Sequence, residues 1–560
     1  MSLIRELIPT SRQARWMLAC ILLLALGLRL GGLYWGLPGT EFYFPLHPDE
    51  WVNIKSPRDM VMTGDLNPHF FNYGSLHSYL TWLVFLVARP LGWLPTPASW
   101  FVAARLPVIL MGVLSAWLLL PIGRRVGGEK LGLLAAFVLA VSPGHVLHSG
   151  FYTVDIPSIF FATLGLWFAL ILLDTGSLRW LAASAFAVGL AAATKYPMGM
   201  SLFCPLAALV LRARLVDGSG WDWPWLTRGV LLAGAVSLLA FLIGVPYALL
   251  DFPAFWKDMS YELFEHAMDG HRSLFAATGN GLVYLFTVNL LYSLGATVLV
   301  GGALGLLGLL HREREKGIVL LSFVVPYVIV LGFAKLRFMR YTLALTPFFA
   351  LGLAWLTLFL LSRAPVLGQP VRPGRRSATL PRLLRACALL LVFGWPLLLS
   401  SLQFRSLLRI DPRVAAARWA KAHIPAGQSI GMMDHPNWYA APLSPFNRGN
   451  PASFYKDEQR HAWDFSLLVF WDARRLRKQS PEWFVMSEFM WSHQLELGTP
   501  AAREVLEMLD RDYELVASFE SFPTSERWLF GHPHPPHDWL YPFPAQRIWK
   551  RRAPLLTPPR

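Results

Sequence analysis

Between Trp16 and Leu402 the chain returns repeatedly to apolar runs of membrane-spanning length, Trp16 to Trp35 and Gly229 to Tyr247 among them. A hydrocarbon core about 30 Å thick takes roughly 20 helical residues to cross. A single run of this kind fits a buried core helix, but a long series fits only lipid, where a helix satisfies its own backbone groups. The 54% hydrophobic content and mean hydropathy of +0.42 agree. Soluble domains carry about 45–50% apolar residues.

The net charge of +15 and a pI near 9.9 would suit a nucleic-acid surface. The Lys and Arg residues, however, sit in short clusters between apolar runs, the pattern of an orientation signal. Cys20, Cys204 and Cys387 all fall inside apolar segments, so neither a disulfide framework nor a thiolate metal site is expected, and they read as small core residues. The first apolar run is too long for a cleaved signal peptide and reads as a retained anchor.

Arg5, Arg12 and Arg15 before the first span place the amino terminus in the cytoplasm. The first outer loop then covers residues 37–100, with Leu76 to Val87 lying along the interface rather than crossing it, which keeps Arg124, Arg125 and Lys130 inside. Leu131 to Gly150, Ile156 to Leu173, Leu181 to Lys195, Pro197 to Leu211, Gly229 to Tyr247, a span from about Val283, Ile318 to Ala334, Tyr341 to Leu361 and Ala386 to Leu402 alternate after that. The strongest basic loop, Arg363 to Arg385, falls inside. The expected architecture is a mainly α, polytopic membrane protein with about eleven transmembrane helices over residues 1–403.

Residues 404–560 hold no further spanning run and read as a separate extracytoplasmic α/β domain. Apolar spacing predicts helices over Pro412 to His423 and Ala501 to Asp512. Short strands are expected at Ser429 to Met433, Trp483 to Met486, Leu515 to Phe519 and Arg547 to Trp549, and the stretch Gly531 to His537 reads as a loop.

This topology puts Asp49, Glu50, Asp155, Lys195, Arg337 and Arg340 at the outer ends of spans. Ionisable groups near hydrocarbon are costly and are kept where they pair or bind. Asp49 and Glu50 follow His47-Pro48, where proline favours an extended entry, and such carboxylates serve either as a solvated loop end or as a general base with its supporting group. Asp155 opens a span and is either a helix-terminal carboxylate or a site group. Lys195 ends an apolar run, either snorkelling to the interface or binding phosphate. Arg340 suits two-point contact with phosphate oxygens, and the positive-inside rule argues against a mere anchor at that end. His47, His145 and His148 show no metal-ligand spacing and read as structural, and no phosphate-cradling glycine loop is present, which argues against nucleotide hydrolysis.

His47-Pro48-Asp49-Glu50, Ala103-Ala104-Arg105-Leu106-Pro107, Gly123-Arg124-Arg125-Val126-Gly127-Gly128, Thr153-Val154-Asp155, Thr194-Lys195-Tyr196, and Arg340-Tyr341 followed by Pro347 occur in that order. Over roughly Trp16 to Leu361 the chain thereby resembles the GT-C superfamily of membrane glycosyltransferases, in its family 39 form, which includes protein O-mannosyltransferases and lipid A aminoarabinose transferases.

The resemblance implies a GT-C fold and an inverting transfer of a sugar from a polyprenyl-phosphate donor to a glycan, lipid or protein acceptor on the outer face of the inner (plasma) membrane. Asp49 is then the general base with Glu50 beside it, Lys195, Arg340 and Arg337 bind the donor phosphate, and Asp155, Arg105 and Tyr341 support substrate or metal. A divalent cation shared by Glu50 and Asp155 stays open, and no nucleotide is expected. Asn72-Tyr73-Gly74 stands where some members carry Lys-Pro-Pro, so no phosphate-binding lysine carries over there. A transporter or lipid flippase is the competing reading and calls for two similar halves and broken mid-membrane helices, neither of which is apparent. A third reading makes the membrane part a scaffold for a binding domain.

Overall fold

The computed structural model describes residues 6–39, 42, 45–214, 220–269, 272–363, 379–433, 439–443 and 469–552. Most of the expected basic loop Arg363 to Arg385 lies outside the described residues.

Among the described residues, eight helices are long and apolar enough to cross a membrane, and two bent helix pairs raise the number to ten. Leu178–Thr194, at 17 residues, adds an eleventh at the lower limit of spanning length, in agreement with the expected number. Several spans turn apolar residues outward: in Trp223–Gly244, Leu231 is 68% exposed and Leu238 and Ile243 are each 58% exposed, which is what a lipid-facing helix requires. Leu76–Ala88 has 13 residues and rises only about 20 Å, too short to cross. Of the cysteines, Cys204 is buried, but Cys20 and Cys387 are exposed, correcting their expected place in the core. An apolar residue in a membrane helix needs no protein partner to leave water.

The two bent pairs overturn the expectation of unbroken spans. Glu129–Ala140 and Pro143–Ser149 meet at 62°, and Gly281–Leu294 and Ala296–Arg312 at 109°. The first break falls just before Pro143, which cannot donate to a preceding turn. Its freed carbonyls are satisfied from other helices. Arg29, fully buried, donates to Ala140 O at 3.0 Å, to Leu139 O at 3.4 Å and engages His145 Nδ1 at 3.0 Å, while Ser400 Oγ donates to Val141 O at 2.8 Å. The second break falls at Gly295, whose φ of +79° favours a residue without Cβ. The two breaks touch, since a Cβ on Gly144 would lie 2.8 Å from Ser293 Cα.

The C-terminal region forms a four-stranded sheet, β1 Ile430–Met432, β2 Trp483–Ser487, β3 Tyr513–Phe519 and β4 Gln546–Arg551, in the order β1-β2-β4-β3. β1 runs parallel to β2, and the other neighbours are antiparallel, with a register shift between Leu515 and Ala517. Helices Pro412–His423 and Pro500–Asp512 accompany it, each near its expected place.

Spans carry charged residues near both of their ends. Pro97–Gly127 bears Arg105 near its start and Arg124 and Arg125 near its end, and Asp155–Thr175 runs from Asp155 to Asp174. At the latter end Arg125 pairs with Glu6 and Asp174, and Arg124 with Glu129. At the former end lies the candidate site.

Candidate functional site

Asp49 lies in the first turn of Pro48–Thr63, a helix that proline starts without loss because the first N–H groups of a helix have no partner anyway. Its Oδ2 lies 3.2 Å from Arg340 Nη1, with side-chain exposures of 22% and 7%. The contact is an ion contact without hydrogen-bond alignment, and Arg340 Nη1 has no hydrogen-bond acceptor among the described residues. Buried donors are rarely left in that condition.

Burial raises the Asp49 carboxyl above its ordinary range. The Arg340 guanidinium opposes the shift, and the carboxylates of Asp155 and Asp538 add to it.

Lys195 ends Leu178–Thr194 and turns its ammonium to Asp155 Oδ1 at 2.5 Å, both side chains being 10% exposed or less. Asp155 therefore spends its charge on Lys195, and no side chain caps the helix that it opens. The Tyr341 ring adjoins both cations: Lys195 Nζ stands 4.4 Å from its centroid and Arg340 Cζ 5.7 Å. Arg340 also lies over Phe338 at 4.2 Å. Asp49, Arg340, Tyr341, Lys195 and Asp155 thus form one contiguous group.

Glu50 and Arg105 form a different unit. Both are fully buried, and they meet in a fork, Nε to Oε1 at 2.7 Å and Nη2 to Oε2 at 2.6 Å. Arg105 Nη1 donates to the carbonyls of Gly32, Leu33 and Trp35 at 2.9, 2.9 and 2.8 Å. Tyr152 N–H donates to Glu50 Oε1 at 2.6 Å. The chain comes this close only because Gly32 and Gly150 lie back to back: a Cβ on Gly32 would stand 2.8 Å from Gly150 Cα. This unit ties the first loop to the turn before Asp155 and leaves Glu50 no free oxygen for a reacting group.

Arg337 points elsewhere. Its Nη1 donates to Thr278 Oγ1 and, at 2.7 Å, to Gly279 O, and it has no contact with Asp49, Lys195 or Asp155 among the described residues.

No three His, Cys, Asp or Glu side chains come together to hold a metal ion among the described residues. Glu50 and Asp155 are each committed to a cation, so the shared divalent ion does not fit this donor set. His47 and His148 are fully buried, and among the described residues none of their ring nitrogens has a hydrogen-bond partner. His47 packs against Phe151 and Tyr541, with ring centroids 4.7 and 5.1 Å away.

Two contributors come from the C-terminal region, and nothing in the chain's local pattern points to them. Asp538 accepts from the backbone N–H groups of Met339 and Arg340, both at 2.8 Å. Arg413 pairs with Asp411 at 2.8 Å and donates to Leu46 O at 3.3 Å, just before His47-Pro48-Asp49. Partners nearly 200 and more than 360 positions away carry no local signal.

Residues 77–246 match the family described as dolichyl-phosphate-mannose-protein mannosyltransferase. That stretch holds Arg105, Asp155 and Lys195 and excludes Asp49 and Arg340. No curated protein matches the sequence. Among solved structures, the oligosaccharyltransferase AglB from Archaeoglobus fulgidus, in complex with an inhibitory peptide and a dolichol-phosphate, is 13% identical with a TM-score of 0.51, over 97% of this chain and 89% of that one. The same organism's oligosaccharyltransferase tethered to an acceptor peptide is 15% identical with a TM-score of 0.51, over 90% and 72%. ArnT from Cupriavidus metallidurans bound to undecaprenyl phosphate is 15% identical over 97% and 99%, at a TM-score of 0.48. The shared fold rests on the archaeal structures, and within it residues 77–246 of this multi-pass chain are similar to the dolichyl-phosphate-mannose-protein mannosyltransferase family.

Proposed function

We propose that the protein transfers a single sugar from a polyprenyl-phosphate donor to an acceptor hydroxyl or amine, with inversion, on the extracytoplasmic side of the inner (plasma) membrane. The amino terminus then lies in the cytoplasm, and residues 404–560 form an extracytoplasmic domain. The observation that carries this reading is the Asp49–Arg340 pair: a half-buried carboxylate facing a guanidinium whose buried Nη1 lacks a hydrogen-bond acceptor among the described residues.

In the proposed reaction Asp49 takes the proton of the acceptor nucleophile as that atom bonds to the anomeric carbon. The bond from that carbon to the phosphate oxygen breaks, and its electron pair leaves with the polyprenyl phosphate. The negative charge that grows there is met by Arg340 and Lys195, electrostatic stabilisation at the place where charge develops. A single displacement inverts the anomeric centre. Asp155 holds Lys195 in place, Tyr341 packs against both cations, and Glu50 and Arg105 fix the loop that presents Asp49. The donor class is supported by the description of the family that matches residues 77–246.

The deciding experiment incubates the purified protein with a panel of polyprenyl-phosphate sugars and follows sugar release and transfer, with Asp49→Asn as control. Release by the natural protein and loss of about 100-fold or more in Asp49→Asn is the expected result. Undiminished turnover by Asp49→Asn removes Asp49 as base. Movement of intact lipid across vesicles without sugar release would favour the flippase reading, for which the two bent helix pairs are the relevant structural feature.

A further inference from the structure

Arg340 stands at the second position of the Met339–Leu345 turn, which leads into the Thr346–Arg363 helix. The first N–H groups of a helix have no acceptor within it. Phe338, at the N-cap, offers no side-chain oxygen. The vacant N–H groups of Met339 and Arg340 are taken by Asp538, one carboxylate oxygen each, at 2.8 Å. Asp538 is 1% exposed, so this carboxylate is a buried cap supplied from another part of the chain. A negative charge at a helix N-terminus is favourable.

Asp538 makes no ion pair with the guanidinium that it adjoins. The Arg340 side chain instead faces Asp49 and lies over Phe338. Asp538 in turn is firmly seated: Trp539 beside it is fully buried against Phe522 and Phe530, and Tyr292 Oη donates to His532 O at 2.6 Å. The same C-terminal region reaches the other half of the ion pair, because Arg413 donates both to Leu46 O and, at 2.8 Å, to Tyr541 O.

We propose that Asp538 is a positioning residue for Arg340, so that the C-terminal α/β region completes the donor-phosphate site by fixing the backbone from which the guanidinium extends. This rests on the assignment of Arg340 to the donor phosphate. A role in positioning and a role as counter-charge have opposite signs. Removing a nearby negative charge tightens anion binding if Asp538 merely neutralises Arg340, and removing a cap loosens it if Asp538 holds Arg340 in place.

The test uses the full-length protein in phosphatidylcholine nanodiscs with farnesyl phosphate as probe, the binding measured calorimetrically for the natural protein, Asp538→Ala, Arg340→Ala and the double variant. Asp538→Ala is expected to weaken binding about tenfold and to have little further effect once Arg340 is alanine, the non-additivity of two residues acting through one contact. Hydrogen exchange supplies a reading that needs no ligand. The peptide covering residues 339–345 should exchange about tenfold faster in Asp538→Ala, with β2 and β4 unchanged. Asp538→Asn, which keeps the volume and one acceptor oxygen, serves if the alanine variant does not fold. Tighter binding, additive losses or unchanged exchange over residues 339–345 overturn the proposal. If the natural protein ignores farnesyl phosphate, the donor reading fails, and the exchange measurement alone decides whether Asp538 holds that turn.

Discussion

Asp49 and Arg340 approach to 3.2 Å without the alignment of a hydrogen bond, and the guanidinium nitrogen involved is buried with no other acceptor among the described residues. A well-formed carboxylate–guanidinium fork, such as Glu50 with Arg105 only one residue along, satisfies both partners and resists exchange. The looser pair leaves donor capacity for an incoming anion and an oxygen for an incoming proton. Two adjacent acidic residues thereby stand in opposite surroundings.

The pH dependence of transfer should carry the signature of Asp49. Burial raises its carboxyl, and Arg340 restrains the rise. Since the base must be ionised, activity falls as pH drops through the shifted value, so the acid limb of kcat/KM should lie above the ordinary carboxylate value of about 4. Arg340→Gln removes the restraining cation and should move that limb to still higher pH while lowering the rate overall. A limb that stays put or moves down in Arg340→Gln would remove Asp49 as the titrating base.

Lys195 and Asp155 make a buried pair, and breaking such a pair from one side costs about 3–5 kcal/mol because the survivor is left charged and unpaired. Lys195→Met should approach the lower end of that range, since a second cation, Arg340, also packs near the Tyr341 ring. The double variant Asp155→Asn/Lys195→Met removes both charges and should recover most of the stability in thermal unfolding, with transfer still lost. A double variant as unstable as the single one would mean that the pair acts through packing rather than charge.

Glu50 and Arg105 should behave as structure. Arg105→Lys keeps the charge but loses the fork and most of the five contacts that Arg105 makes to Glu50 and to the carbonyls of Gly32, Leu33 and Trp35. It should destabilise by about 2–4 kcal/mol, and Glu50→Gln by less. In both, turnover per folded molecule should remain near that of the natural protein. A fully stable Glu50→Gln without turnover would return Glu50 to the chemistry.

The contrast between these neighbours marks where sequence reading succeeds and where it stops. Span number, the short helix Leu76–Ala88 and the strand positions follow from length and periodicity, which are local, and all were legible. The convergence of Asp49, Asp155, Lys195 and Arg340 was legible as well, because Asp155, Lys195 and Arg340 each open or close a span at the end that the loop carrying Asp49 covers. The division between Asp49 and Glu50 was not, since it depends on which of two adjacent side chains meets an arginine more than 50 positions away. The polar Ser142-Pro143-Gly144-His145 and the single Gly295 mark the two breaks only faintly within otherwise apolar runs, and Asp538 sits in the short 3-10 turn His537–Leu540, which no periodicity ties to Arg340.

Arg337 and Arg340 come from one short motif, Lys335-Leu336-Arg337-Phe338-Met339-Arg340-Tyr341, and sequence alone treats both as phosphate ligands. The structure sends them apart, Arg340 to Asp49 and Arg337 to Thr278 and Gly279. Burial lowers the Arg337 guanidinium from its ordinary value, but it stays cationic near neutral pH and its donors are turned to a loop rather than to the shared site. Arg340→Ala should therefore weaken farnesyl phosphate binding by about 10- to 100-fold, the loss of a charge-assisted contact of roughly 1.5–3 kcal/mol. Arg337→Ala should change that affinity by less than about threefold while speeding hydrogen exchange over residues 276–284. Equal losses of affinity in the two variants would show that the phosphate draws on both arginines, and that the loop contacts of Arg337 open when the donor arrives.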